Sequence, residues 1–198
     1  AAAVPQDGLI IQVGARTTGL ILVRHCAPAR FGGLDVGGET FTRALIDAFD
    51  LAPERAGRVL HAYIAGRLDE KARQAVRQAL AAPLEEWSRA VAERLCAWRS
   101  RDVDWSPQIL LCGGLAYLDD LQQTVAGMRW VEMLPFPRTP RVRTWGGANL
   151  SYVDDRTGSP WQLTHVTALC TAVWGLRDRS PNTLEGRLDA ALGIRSRT

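Results

Sequence analysis

The chain has 198 residues, 46% of them hydrophobic and 23% charged, with a formal net charge of +3. This is the composition of an ordinary globular protein, long enough to bury one large domain or two small ones. It excludes a bilayer-spanning segment, because no uninterrupted apolar run approaches the roughly 18 residues required. It also argues against a nucleic-acid partner: Lys71 is the only lysine, and the arginines alternate with Glu and Asp instead of gathering on one basic face.

In chain order, the β-rich runs at 9–13 and 19–24 (LIIQV and GLILVR) flank a short Gly-containing turn and predict a hairpin. Residues 25–30 extend it to a meander. FGGLDVGGE, with two Gly-Gly pairs, reads as a loop. From Thr40 the period changes: Phe41, Leu45, Ile46 and Phe49 form a helical stripe, with Thr40 as its N-cap. Pro53 opens a second helix to about residue 67. A charged third helix covers 69–82. Pro83 starts a fourth to about residue 98, with Leu84, Trp87, Val91, Leu95 and Trp98 along one side. ILLC, residues 109–112, has the continuous apolarity of a strand buried on both faces. Helix is predicted at 117–126 and strand at 130–134. A Pro- and Gly-rich segment follows that reads as mostly irregular, with a short hairpin as the alternative, then an all-round apolar helix at 163–176 and a last short helix at 184–192. The order β-β-β-α, inserted helices, a long α, then β-α-β-α implies a mixed sheet with helices packed on it.

The four cysteines, Cys26, Cys96, Cys112 and Cys170, form no metal spacing. Three sit in apolar runs and read as small core residues, which fits a reducing, cytoplasmic setting. The opening AAAVPQDG lacks the features of a signal peptide. Strand-like sequence begins almost at once, as expected of a piece of a longer protein.

Three glycine-bearing turns are the candidates for chemistry. Gly14-Ala15-Arg16-Thr17-Thr18 lies between two strands, where backbone amides and threonine hydroxyls can face phosphate oxygens. Val36-Gly37-Gly38-Glu39-Thr40 leads into a helix N-terminus, with its partial positive charge. Cys112-Gly113-Gly114-Leu115 joins a buried strand to a helix, where glycine lets a flat ligand approach the backbone. Each alone is better explained as a tight turn that needs positive φ.

Together, in this order, the segments LIIQVGARTTGLILV, VGGETFTRALIDAF and ILLCGGLAYLDDLQ resemble the second lobe of the actin/Hsp70/sugar-kinase ATPase superfamily. They are most similar to the bacterial cell-division protein FtsA and its relative PilM. The resemblance covers residues 9–49 and 83–176. It implies an α/β, RNase H-like lobe with a mixed five-stranded sheet, residues 1–198 forming one lobe and 51–82 a helical insertion. It implies ATP with Mg²⁺ as the cofactor: Gly14, Arg16, Thr17 and Thr18 at the phosphates, Gly37 and Gly38 at the helix start, and Gly113, Gly114 and Leu115 beside the adenosine. It also implies protein partners or self-association, and a missing first lobe to close the cleft.

The departures from the family pattern are pointed. Gln12 replaces the aspartate that helps hold Mg²⁺ and its waters; a neutral amide is a poor magnesium ligand. Ala15 and Arg16 replace the second and third glycines, Gly19 the trailing aspartate, and Leu115 a small residue. Arg16 offers a guanidinium that can bind an anion in place of the backbone amides.

Elsewhere, His25, His61 and His165 are too scattered for a metal, Asp119-Asp120 suits a helix start, and Asp154-Asp155 suits a turn. No serine has a nucleophile-elbow context, so no catalytic residue and no metal ligand set are assigned. The tryptophans read as core, with Trp145 and Trp161 the better contact candidates. The tail LEGRLDAALGIRSRT reads as a capping helix in preference to a peripheral inner-membrane anchor. Two functions follow: a nucleotide-associated assembly protein with weakened or absent hydrolysis, or an actin-fold scaffold that binds proteins without nucleotide. A sugar or acid kinase lobe would need a substrate-binding acid that the sequence does not offer.

Overall fold

The computed structural model describes residues 7–25, 27–99 and 105–144. The predicted helices at 163–176 and 184–192, the tail, Trp145, Trp161, Cys26, Cys170 and His165 lie outside the described residues.

β1 (Gly8–Val13) and β2 (Thr18–Arg24) form the expected hairpin, and β3 (Ala27–Leu34) completes an antiparallel meander. β3 runs on through Phe31-Gly32-Gly33, which composition had suggested as loop. Phe31 pairs with Ile21 and Gly33 with Gly19. The glycine at 32 has a packing cause, since a Cβ there would stand 3.0 Å from Cζ2 of Trp98. β4 (Gln108–Cys112) lies parallel to β1, and β5 (Arg141–Thr144) parallel to β4. The sheet order is β3-β2-β1-β4-β5, a mixed five-stranded sheet as expected.

Its fifth strand is not the predicted one. Residues 130–134 were expected to be extended, but Trp130–Met133 is a short helix. Periodicity cannot separate strand from helix in so short an apolar run. Here the Trp130 indole decides: it is buried, donates to the Val125 carbonyl at 2.7 Å, and packs edge-on to Phe136. β5 comes instead from RVRT, in the segment expected to be irregular.

The helices preceding β4 are α1 (Gly38–Phe49), α2 (Pro53–Ile64) and α3 (Glu70–Cys96); α4 (Asp119–Gly127) follows it, and the Trp130–Met133 turn is α5. α1 begins two residues earlier than predicted and its N-cap is Gly37, not Thr40. The predicted pair of helices meeting at Pro83 is one helix of 27 residues, with Asp69 accepting from the Ala72 amide at its start. An interior proline costs about 3 kcal/mol. The buried stripe Val76, Leu80, Leu84, Trp87, Val91 and Leu95 continues across it, and each such side chain contributes about 1.5–3 kcal/mol. Burial therefore outweighs the lost hydrogen bond.

Leu9, Ile11 and Val13 of β1 and Leu20 and Leu22 of β2 are buried at period two, whereas Ile109, Leu110, Leu111 and Cys112 of β4 are all buried, as expected of a strand covered on both faces. Phe41 and Leu45 of α1 join them in one continuous core with α3. The four described tryptophans, Trp87, Trp98, Trp105 and Trp130, are all buried, as expected. Cys112 is buried, but Cys96 is exposed, so the core reading fails for Cys96. Among the described residues, no helix is long and apolar enough to cross a membrane.

Candidate functional site

The three glycine-bearing turns meet. A cleft of about 420 Å³ is lined by Gln12, Gly14 and Ala15 from the β1–β2 hairpin, by Gly38, Glu39 and Thr42 from α1, and by Gly113, Gly114 and Leu115 from the turn after β4. The parallel pairing of β1 with β4, which sets Gln12 beside Cys112, brings the first and third turns side by side. α2 adds Leu60, His61 and Ile64 to the lining.

At the hairpin end the backbone is occupied. The Gly38 amide donates to the Gly14 carbonyl at 2.9 Å and the Glu39 amide to the Ala15 carbonyl at 2.7 Å. The Thr40 amide donates to the Gly37 carbonyl at 3.0 Å, and the Gly14 amide to the Thr17 carbonyl at 2.9 Å. The first three amides of α1 are thus spent, and the helix N-terminus expected to face an anion is capped by the hairpin. Gly37 is glycine for this docking, since a Cβ on it would stand 2.7 Å from the Arg16 carbonyl carbon and the Thr17 nitrogen.

The two threonines do not line the cleft. Thr18 is fully buried; its hydroxyl donates to the Val36 carbonyl at 2.7 Å and accepts from the Trp87 indole at 2.9 Å. That side chain ties the hairpin to α3, and its hydroxyl has no capacity left to donate to a phosphate. Thr17 is exposed and outside the lining. Arg16 is also outside it, its side chain 82% exposed, with Nε 3.7 Å from a Glu39 carboxylate oxygen. An ion pair this exposed adds little stability.

The β4 end is different. Gly113 has φ +95, and a Cβ on it would fall 2.3 Å from the Val13 carbonyl oxygen, so the fold itself requires glycine there. Gly114 follows as cleft lining. The buried Leu115 lines the cleft where the family pattern has a small residue.

The lining residues the sequence reading missed are Thr42, Leu60, His61 and Ile64. Thr42 donates its hydroxyl to the Gly38 carbonyl at 3.1 Å. Helical spacing marked these residues only as members of helices; that α2 shares a cleft with Gly113 is a tertiary fact. α2 is held there by Tyr63, whose hydroxyl donates to Asp120 of α4 at 2.5 Å, while Arg77 of α3 donates to the same carboxylate at 3.0 Å. Burial first, and the Asp120 carboxylate second, push the Tyr63 phenol above its ordinary value. Asp119 lies 3.9 Å from Arg73. Both acids of the Asp119-Asp120 pair thus serve structural ion pairs.

These residues do not fit a magnesium triphosphate. Gln12 stands where a carboxylate would order the ion's waters. The amides of Gly38 and Glu39 and the hydroxyl of Thr18 are engaged within the protein. Among the described residues, the cleft lining contains no arginine or lysine, and it contains the carboxylate of Glu39.

No protein-family model matches the chain, and neither does any curated protein sequence. Solved structures do match. The PilM–PilN type IV pilus biogenesis complex aligns at 21% identity and a TM-score of 0.50, over 71% of this chain and 39% of that one. The ethanolamine utilization protein EutJ from Carboxydothermus hydrogenoformans aligns at 18% identity and a TM-score of 0.49, over 69% of this chain and 44% of that one. The chain thus spans less than half the length of either of these two, and it has the actin-like ATPase fold, an RNase H-like lobe.

Proposed function

We propose that this chain is one lobe of an actin-fold assembly protein, working in bacterial cell division or envelope-complex assembly through contacts with other proteins, with ATP hydrolysis weakened or absent. Residues 1–198 are read as one lobe, with 51–82 as a helical insertion and a second lobe closing the cleft. The observation that carries this reading is the sealed hairpin. The Gly38 and Glu39 amides bond to Gly14 and Ala15, Thr18 bonds to Trp87, and Gln12 replaces a carboxylate. A fold that keeps its sheet and core while losing its magnesium and phosphate handling is retained for its surfaces. PilM stands in complex with PilN in its solved structure, which supports protein partners for a lobe of this shape.

The second reading, nucleotide-dependent contact with partners, is favoured by one feature: the cleft lined by Gly113–Leu115 and α2 persists. Mg-ATP titration and a phosphate-release assay on the full chain separate the two. Scaffold function predicts no turnover and an affinity weaker than about 100 µM, or about −5.5 kcal/mol. Turnover above the uncatalysed background would overturn it.

A further inference from the structure

β3 ends the sheet order, and among the described residues no strand pairs with its outer side. We infer that this edge joins a second copy of the chain: two β3 strands pair antiparallel about a two-fold axis at Gly32, making one continuous sheet. The inference goes beyond the scaffold reading and draws nothing from the cleft.

The Gly14 amide donates to the Thr17 carbonyl at 2.9 Å, which makes Gly14 and Thr17 a hydrogen-bonded pair of the hairpin. Bonded and non-bonded pairs alternate along an antiparallel ladder. Gly19 and Ile21 therefore bond to β1, while Thr18, Leu20 and Leu22 turn their amides and carbonyls toward Leu34, Gly32 and Arg30 of β3. The amides and carbonyls of Phe31 and Gly33 point the other way, off the edge of the sheet, where another strand can take them.

The register follows from where the regular edge stops. The ladder shifts between Leu22 and Val23, so Ala29 has no partner in β2, and Pro28 beyond it has no amide to donate. At the other end β3 finishes at Leu34. Gly32 is the centre of the regular stretch between, Arg30 to Leu34. Antiparallel pairing of that stretch with its own copy sets each Phe31 opposite a Gly33, as pairs that exchange two hydrogen bonds, with Gly32 facing Gly32. The side chains match this register. Phe31 is 83% exposed and comes to lie over the bare backbone of Gly33 in the second copy. Arg30 comes to stand opposite Leu34, which lines a surface hollow with Glu93 and Arg94 of α3. Among the described residues neither Arg30 nor Glu93 is held in an ion pair, and the pairing brings these opposite charges together. Arg94 at the same hollow offsets part of that attraction, so the backbone and Phe31 carry most of the affinity. A foreign extended peptide has no such self-matching register. The contact is isologous and uses up both edges, so it closes at a dimer and does not grow into a filament.

The test is sedimentation velocity on the full chain, with amide hydrogen exchange read by NMR, both across a concentration series. A dimer is expected, and exchange at Phe31 and Gly33 should slow about 10-fold or more as it forms, while Gly32, bonded to β2, is protected throughout. Phe31→Lys, a change at an exposed side chain, is expected to weaken the dimer about 10-fold or more with an unchanged circular dichroism spectrum. A chain still monomeric at about 500 µM would overturn the inference. So would a dimer protected elsewhere, a dimer undiminished in the Phe31 variant, or a series of oligomers that keeps growing. Capture of an extended peptide at this edge by a chain that does not dimerise would also overturn it, and would assign β3 to another partner. ATP turnover is a separate result: it would sink the scaffold reading and leave this one standing, whereas a monomer without turnover would sink only this one.

Discussion

The two ends of the cleft use the same vocabulary, paired glycines beside a strand, for different ends. At the hairpin, Gly37 is glycine because the Arg16–Thr17 backbone passes 2.7 Å from where its Cβ would be, and the neighbouring amides cap carbonyls of the hairpin. At β4, Gly113 is glycine because β1 passes still closer, yet the next residue, Gly114, lines the cleft together with Leu60, His61 and Ile64 of α2. One end is shut by its own backbone; the other is still a cleft. Gly37 and Gly113 are required where two backbones touch, so their presence records architecture whether or not a ligand lies beside them.

Three substitutions sharpen or break this contrast. Gly113→Ala must place a Cβ against the Val13 carbonyl in a left-handed conformation; we expect a loss of about 2–4 kcal/mol in urea unfolding. A smaller loss would mean the β1–β4 contact relaxes easily and that glycine there serves something other than packing. Thr18→Val strands the Trp87 indole N–H in the core and should cost about 1–3 kcal/mol. It should leave ligand titrations unchanged; weaker ligand binding at unchanged stability would return Thr18 to the cleft and reopen the hairpin end. Arg16→Ala should do least, with no measurable change in thermal midpoint, because its ion pair with Glu39 is exposed and screened. A strong drop in anion binding in that variant would show that Arg16 replaces the amides after all.

Much of this was legible along the chain. The alternation in LIIQV and GLILV set two strands and which side of each is buried, and the stripe from Leu84 to Trp98 set the inner face of α3. The three turns could be named because glycine is conspicuous in sequence. The misreadings share a cause. Pro83 was taken to start a new helix, but Leu80 and Leu84 on either side of it share one buried face and hold α3 continuous. WVEML was taken for a strand, but burial of Trp130 against Val125 and Phe136 made it a helix. The glycines of β3 suggested a loop until pairing with β2 and contact with Trp98 fixed them extended.

Local periodicity determined most of the strands and helices and the inward face of each, because those choices depend mainly on neighbours a few residues away. Only the tertiary structure decided that Thr18 points to Trp87 and not to a ligand, that the α1 amides are capped by a hairpin, and that α2 shares a cleft with Gly114. Hydrogen-bond partners and cleft walls are assigned by parts of the chain that meet only when the sheet is assembled, and no local pattern encodes which partner a buried donor will find.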